Sequence, residues 1–159
     1  MLYLNGGPGG NDEDLIFISG GPCLFKGNGK EPSRNPNSFN EYANVLYIDQ
    51  PIATGFSYGV NPINSTEVAT EYIWKFLQAF FAEFREYQGR NFGIMGISYG
   101  GHTGPSLGQE ILLKNAWIGT DHSRGVQIKL TSLGRMGGSS SPSERKYQLR
   151  TPQRVPSTD

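Results

Sequence analysis

Between residues 65 and 87 apolar side chains recur at steps of three and four (Val68, Tyr72, Ile73, Phe76, Leu77, Phe80, Phe81, Phe84) and draw one broad stripe along a helix. The stripe predicts a helix packed on a sheet, and its aromatic density reads as core rather than as a ligand box. Asn64, with Glu67 three positions on, has the form of a reciprocal cap at the start, and Gly89 suits the left-handed residue that ends it. Short runs rich in Ile, Val, Tyr and Phe at 15–18, 44–48, 92–95 and 126–133 predict strands. Helical character resumes over 106–114. Strands alternating with helices predict an α/β fold, a mostly parallel sheet with flanking helices, whose ligands sit at the carboxyl ends of strands. Ser98 and the loop that begins at Asp49 both fall at such ends.

At 159 residues and zero formal net charge, the chain reads as one domain with no electrostatic footprint for nucleic acid or for an anionic membrane. The composition changes after Gly134. Residues 1–134 form the predicted domain, and 135–159, with their Gly-Ser-Pro run and Arg145, Lys146, Arg150 and Arg154, read as a low-complexity, disordered tail with a solvated charge run. No stretch approaches the ~18 consecutive apolar residues of a membrane span. Met1-Leu2-Tyr3-Leu4 lacks the basic start and long apolar segment of a secretory leader, so the sequence as it stands carries no such address. Cys23 is the one cysteine and excludes an intrachain disulfide; it reads as a small buried apolar side chain. Asn64-Ser65-Thr66 doubles as an N-glycosylation acceptor. No metal or cofactor is implied.

The candidate chemistry lies in a Gly-x-Ser-x-Gly pattern that occurs three times, so context must choose among the copies. Ser57 follows its strand at a distance and precedes Asn61-Pro62, where a helix would have to begin, and reads as a loop serine. Ser106 has no strand ahead of it and falls in the early turns of a helix. Ser98, in Gly96-Ile97-Ser98-Tyr99-Gly100-Gly101-His102, directly follows the run 92–95. That strand-serine-helix order lifts a nucleophile on a strained turn, and glycines at 96 and 100 clear space around it.

Three segments in register carry a resemblance: Leu4-Asn5-Gly6-Gly7-Pro8-Gly9, then Asn44-Val45-Leu46-Tyr47-Ile48-Asp49-Gln50-Pro51 with Gly55-Phe56-Ser57-Tyr58, then Gly96 to His102. Together they resemble the serine carboxypeptidase family of α/β-hydrolases, over residues 2–133, as an N-terminal to central piece that lacks the later part of that fold. The resemblance implies hydrolysis of C-terminal peptide bonds through a Ser98 acyl-enzyme, with peptide or protein C-termini as substrate. It also implies an oxyanion hole from the backbone N–H groups of Gly7 and Tyr99, and contact of Asn5 and Gly6 with the substrate carboxylate.

Departures from the family pattern qualify this activity. Ile97 and Ser19 stand where the family has carboxylate-recognising glutamates, Gly10 where a disulfide cysteine is usual, and the tryptophan usual near Phe39 is absent. In α/β-hydrolases the acid and the histidine follow the nucleophile at a distance. Here Asp121 and His122 are adjacent and read as loop residues, and His102 reads as structural. The expectation is a family member that does not turn over peptides by itself. A non-catalytic fragment or pseudoenzyme, and an esterase or acyltransferase on the same framework, are the alternatives.

Overall fold

The computed structural model describes residues 1–18, 20–25, 29–60, 63–120 and 124–137. Ser19, Asp121, His122 and the segment from 138 onward lie outside the described residues. Four strands form one parallel sheet: β1 (Leu2–Leu4), β4 (Leu46–Tyr47), β5 (Phe92–Ile97) and β6 (Leu130–Met136), in the order β4-β1-β5-β6. An α/β architecture with a parallel sheet is thus present as expected.

The central strand is the one that periodicity missed. Leu2, Tyr3 and Leu4 are wholly buried, Leu2 between Leu46 and Ile94 and Tyr3 between Tyr47 and Met95. A parallel strand covered on both faces shows no polar alternation, so three residues leave nothing for a period to detect. The run at 15–18 is not a strand: Glu13–Ile18 form a short helix, α1, whose first turn closes with the Leu15 N–H on the Asp12 carbonyl at 3.1 Å. The polar stretch Asn11-Asp12 ahead of it acts as a helix start, and a four-residue apolar run cannot by itself decide between helix and strand. A hairpin of β2 (Cys23–Phe25) and β3 (Pro32–Arg34), also unanticipated, follows α1. Cys23 is only half-buried there.

The long stripe folds as α2 (Thr66–Glu83). Its cap is Ser65 rather than Asn64: the Ser65 hydroxyl accepts the Val68 N–H at 3.3 Å, and Glu67 lies one position too early to complete a box with it. Ala69, Ile73, Leu77 and Phe81, at steps of four, are buried, whereas Phe76 and Phe84 on the neighbouring ridge are each 44% exposed. The core-facing stripe is therefore narrower than the apolar pattern. A 3-10 turn, Arg85–Tyr87, intervenes before Gly89, which adopts φ +71° as expected but closes that turn and not the helix.

Strand β5 runs to Ile97, and α3 (Gly100–Trp117) starts two residues past Ser98, earlier than the 106–114 of the sequence reading. Strand β6 begins later than expected and continues through Arg135 and Met136, which pair with Gly96 and Ile97. The core joins Leu2 and Leu4 with Ile73, Leu77 and Phe81 of α2, Phe92 and Ile94 of β5, and Leu107 and Ile111 of α3. From β1 the chain moves to β4 on one side, then returns through α2 to β5 on the other. The order reverses between β1 and β5, the place where open α/β sheets leave a crevice at the carboxyl ends of their strands.

Candidate active site

Both candidate segments leave the sheet at this crevice, Asn5 to Gly10 from the end of β1 and Ser98 from the end of β5. Ser98 is exposed and adopts φ +53°, the left-handed region that a residue with a Cβ enters only under constraint. The constraint is visible on both sides. The Ser98 N–H donates to the Met136 carbonyl at 3.1 Å, holding the turn to β6, and the Ser98 carbonyl accepts from Gly101 N–H at 2.9 Å, the start of α3. A Cβ on Gly96 would stand 2.1 Å from the Gly100 carbonyl oxygen, and one on Gly100 would stand 2.3 Å from that of Leu4. The two glycines of the motif are thus required by backbone packed on backbone.

Gly6 abuts this turn. A Cβ there would lie 2.7 Å from Ser98 Oγ and 2.9 Å from the Tyr99 nitrogen, so the missing methyl leaves a space bordered by a hydroxyl and an amide. Gly7, at φ +121°, and Gly9, at +88°, form the tight turn closed by Gly10 N–H on the Gly6 carbonyl at 2.9 Å. Asn5 is occupied with its own loop: Nδ2 donates to the Asn11 carbonyl at 2.9 Å, and Oδ1 accepts the Gly6 N–H at 2.7 Å. Of the expected residues, Gly6, Ser98 and Tyr99 are in mutual contact, Gly7 follows within the turn, and Asn5 braces it.

The other serines take structural positions, as their contexts predicted. Ser57 Oγ donates to the Asp49 carbonyl at 2.6 Å, and Ser106 lies inside α3. The His102 ring packs beside Tyr99 with centroids 5.1 Å apart, one helical turn past the serine. Ile97, half-buried, precedes Ser98 without a carboxyl group. The Tyr99 hydroxyl meets Thr66 Oγ1 at 2.9 Å, tying the serine turn to the start of α2, a contact no sequence spacing announces.

A second unannounced feature is Asp12, wholly buried beneath the glycine turn. Its Oδ1 accepts the Asn5 N–H at 2.8 Å, while its own N–H donates to Asp49 Oδ1 at 3.0 Å. Oδ2 has no hydrogen-bond partner among the described residues. Burial pushes its pKa up to about 7, with the nearby Asp49 charge adding to the rise and the Asn5 and Ile48 amides opposing it. An unfolded chain ionises this group near its ordinary 3.8, whereas the folded chain holds the proton to about 7. Its contribution to stability is therefore complete below about pH 4 and is lost as the pH rises through 7. The urea midpoint is expected to fall between pH 5 and pH 8, and Asp12→Asn, which mimics the neutral acid, is expected to flatten that fall. An equal pH response in both chains would remove Asp12 from the explanation.

The family model for serine carboxypeptidases matches residues 1–146. Carboxypeptidase S1 of Penicillium janthinellum is 44% identical over 136 residues, covering 86% of this chain and 32% of that protein. Serine carboxypeptidase-like 36 of Arabidopsis thaliana is 39% identical over 138 residues, covering 85% and 28%. The crystal structure of Kex1(delta)p, a prohormone-processing carboxypeptidase from Saccharomyces cerevisiae, superposes with a TM-score of 0.77 at 28% identity, covering 87% of this chain and 30% of that one. The chain thus spans about a third or less of the length of these relatives and represents part of an α/β-hydrolase fold. With its glycine turn, its serine turn and the strands that bring them together, the chain belongs to the serine carboxypeptidase family.

Proposed function

We propose that Ser98 is the nucleophile of a serine-type carboxypeptidase centre that hydrolyses C-terminal peptide bonds, with the backbone N–H groups of Gly7 and Tyr99 as oxyanion donors. The observation that carries this reading is the exposed Ser98 at φ +53°, facing the space left open by Gly6. Ser98 Oγ would form a bond to the scissile carbonyl carbon, its proton would pass to the departing amine as the C–N bond breaks, and water would then release the acyl group. Negative charge gathers on the carbonyl oxygen during attack, and fixed amides cost nothing to reorient at that moment. Asn5 and Gly6 would meet the substrate's terminal carboxylate, Asn5 through the Nδ2 hydrogen not engaged by Asn11.

The ring of His102, the histidine among the described residues, packs beside Tyr99 in the first turn of α3, and on this reading the base that takes the Ser98 proton comes from outside the described residues. The half-site described here is nevertheless testable, because oxyanion donors and binding retain ~10³–10⁴-fold of rate enhancement when a triad member is missing. Incubation of the full 159-residue chain with a fluorophosphonate is expected to modify Ser98 slowly and selectively, as mapped by peptide mass spectrometry, ahead of Ser57 and Ser106. Labelling spread evenly over the three serines would defeat the proposal.

A further inference from the structure

Asp12 stands at the start of α1, where an aspartate ordinarily turns its carboxyl to the first amides of its own helix. Here the carboxyl serves another element. Its Oδ1 takes the Asn5 N–H just past the end of β1, with the Ile48 amide past the end of β4 close by. The side chain is wholly buried, and Oδ2 is without a hydrogen-bond partner among the described residues. An acid buried on these terms weakens the fold, and such groups cluster at functional sites.

What Asp12 holds is the turn that presents Gly7. Asn5 is gripped at two points by the Asn11-Asp12 pair, its N–H on Asp12 Oδ1 at 2.8 Å and its Nδ2 on the Asn11 carbonyl at 2.9 Å. The gripped side chain accepts the Gly6 N–H, and the Gly6 carbonyl accepts the Gly10 N–H. The bonds on either side of Gly7 therefore lead back to Asn5, and through it to Asp12. Asp12 is itself fixed from a second loop. Its N–H donates to Asp49 Oδ1 at 3.0 Å, while Asp49 Oδ2 accepts the Phe56 N–H at 2.9 Å. Residue 55 has to be small there, since a Cβ on Gly55 would stand 2.0 Å from Asp49 Oδ2. Asp12 thus joins the loops that leave β1 and β4, neighbours in the sheet.

We propose that Asp12 is a positioning residue, which through Asn5 sets the place of the Gly7 N–H relative to Ser98 Oγ. Its effect on the reaction rests on the reading of Ser98 as nucleophile; its hold on the turn does not. Asparagine can take over the task, because its side-chain oxygen accepts the Asn5 N–H and the reverse orientation would set two donors face to face. Alanine cannot.

The test measures fluorophosphonate uptake at Ser98 in the full 159-residue chain over a range of reagent concentrations, at pH 6, below the value of about 7 at which Asp12 ionises. Asp12→Ala should lower the maximal rate, kinact, about tenfold or more and leave KI within about twofold of the parent, while Asp12→Asn should restore kinact to within about threefold. Lower stability alone does not move kinact in a chain that circular dichroism shows folded. A kinact for Asp12→Ala equal to that of the parent, or Asp12→Asn as slow as Asp12→Ala, overturns the proposal. Should Asp12→Ala fail to fold, hydrogen exchange in the parent decides: slow exchange of the Asn5 amide is expected, and exchange as fast as that of exposed Gly59 overturns the clamp. If the parent takes up no label at Ser98 while its Asn5 amide is slow and becomes fast in Asp12→Ala, the nucleophile reading fails and the hold of Asp12 on the turn remains.

Discussion

A Gly6→Ala chain is expected to lose at least about a hundredfold in the rate of Ser98 modification, the scale on which losing one oxyanion donor acts. The added Cβ would fall 2.5 Å from Ser98 Cβ, 2.7 Å from Ser98 Oγ and 2.9 Å from the Tyr99 nitrogen. The last two distances are those at which a reacting oxygen would sit from a nucleophile and an amide donor. On the proposed reading the methyl would fill the space where charge develops, and the serine turn or the glycine turn must retreat to admit it. Secondary structure should survive, since β1 keeps its ladders to β4 and β5 and the Asn5 N–H keeps its Asp12 acceptor. Mass-spectrometric rates of fluorophosphonate uptake, with circular dichroism as the control for folding, provide the check. A Gly6→Ala chain labelled at the parent rate would show that this space is not where the reaction happens.

Gly96→Ala is expected to cost more than about 4 kcal/mol, beyond the range of ordinary substitutions. In a strand this exchange normally helps slightly, because alanine restricts the unfolded chain more than glycine does. Here the sign reverses. The new Cβ would stand 2.1 Å from the Gly100 oxygen, 2.4 Å from the Gly100 carbon and 3.0 Å from the Gly101 nitrogen. All three are backbone atoms of the first turn of α3, and rotamer changes cannot move them. Nor can the helix slide the other way, because Gly100 already lies against the Leu4 carbonyl. Strand β5, helix α3 and strand β1 are wedged at a single point, and a methyl group there separates all of them. Urea denaturation of the two chains measures the effect, and a midpoint equal to that of the parent would contradict the wedge.

The serine turn was legible because its signal is local. A strand ends at Ile97, a helix begins at Gly100, and the residues needed to join them, two glycines around a serine, are adjacent in the chain. The helix over α2 was legible for the same reason, although its exposed ridge was not, since apolar spacing alone cannot say which neighbour a side chain meets. The strand expected at 15–18 failed where local signals are weakest, in a short apolar run compatible with either element. The resemblance to serine carboxypeptidases, resting on three segments in order, anticipated the family that the comparisons show.

Residue types at short spacing thus determined the α/β class, the strand-turn-helix setting of Ser98, and the glycines that such a turn requires, because steric demands between chain neighbours are written in consecutive letters. Only the folded chain could place Gly6 against a residue 92 positions away, bury Asp12 beneath the turn that it braces, and tie Tyr99 to Thr66. Those relations depend on the order β4-β1-β5-β6, which sets the ends of β1 and β5 side by side. Strand order is chosen by the burial of whole faces, and no single stretch of sequence carries it.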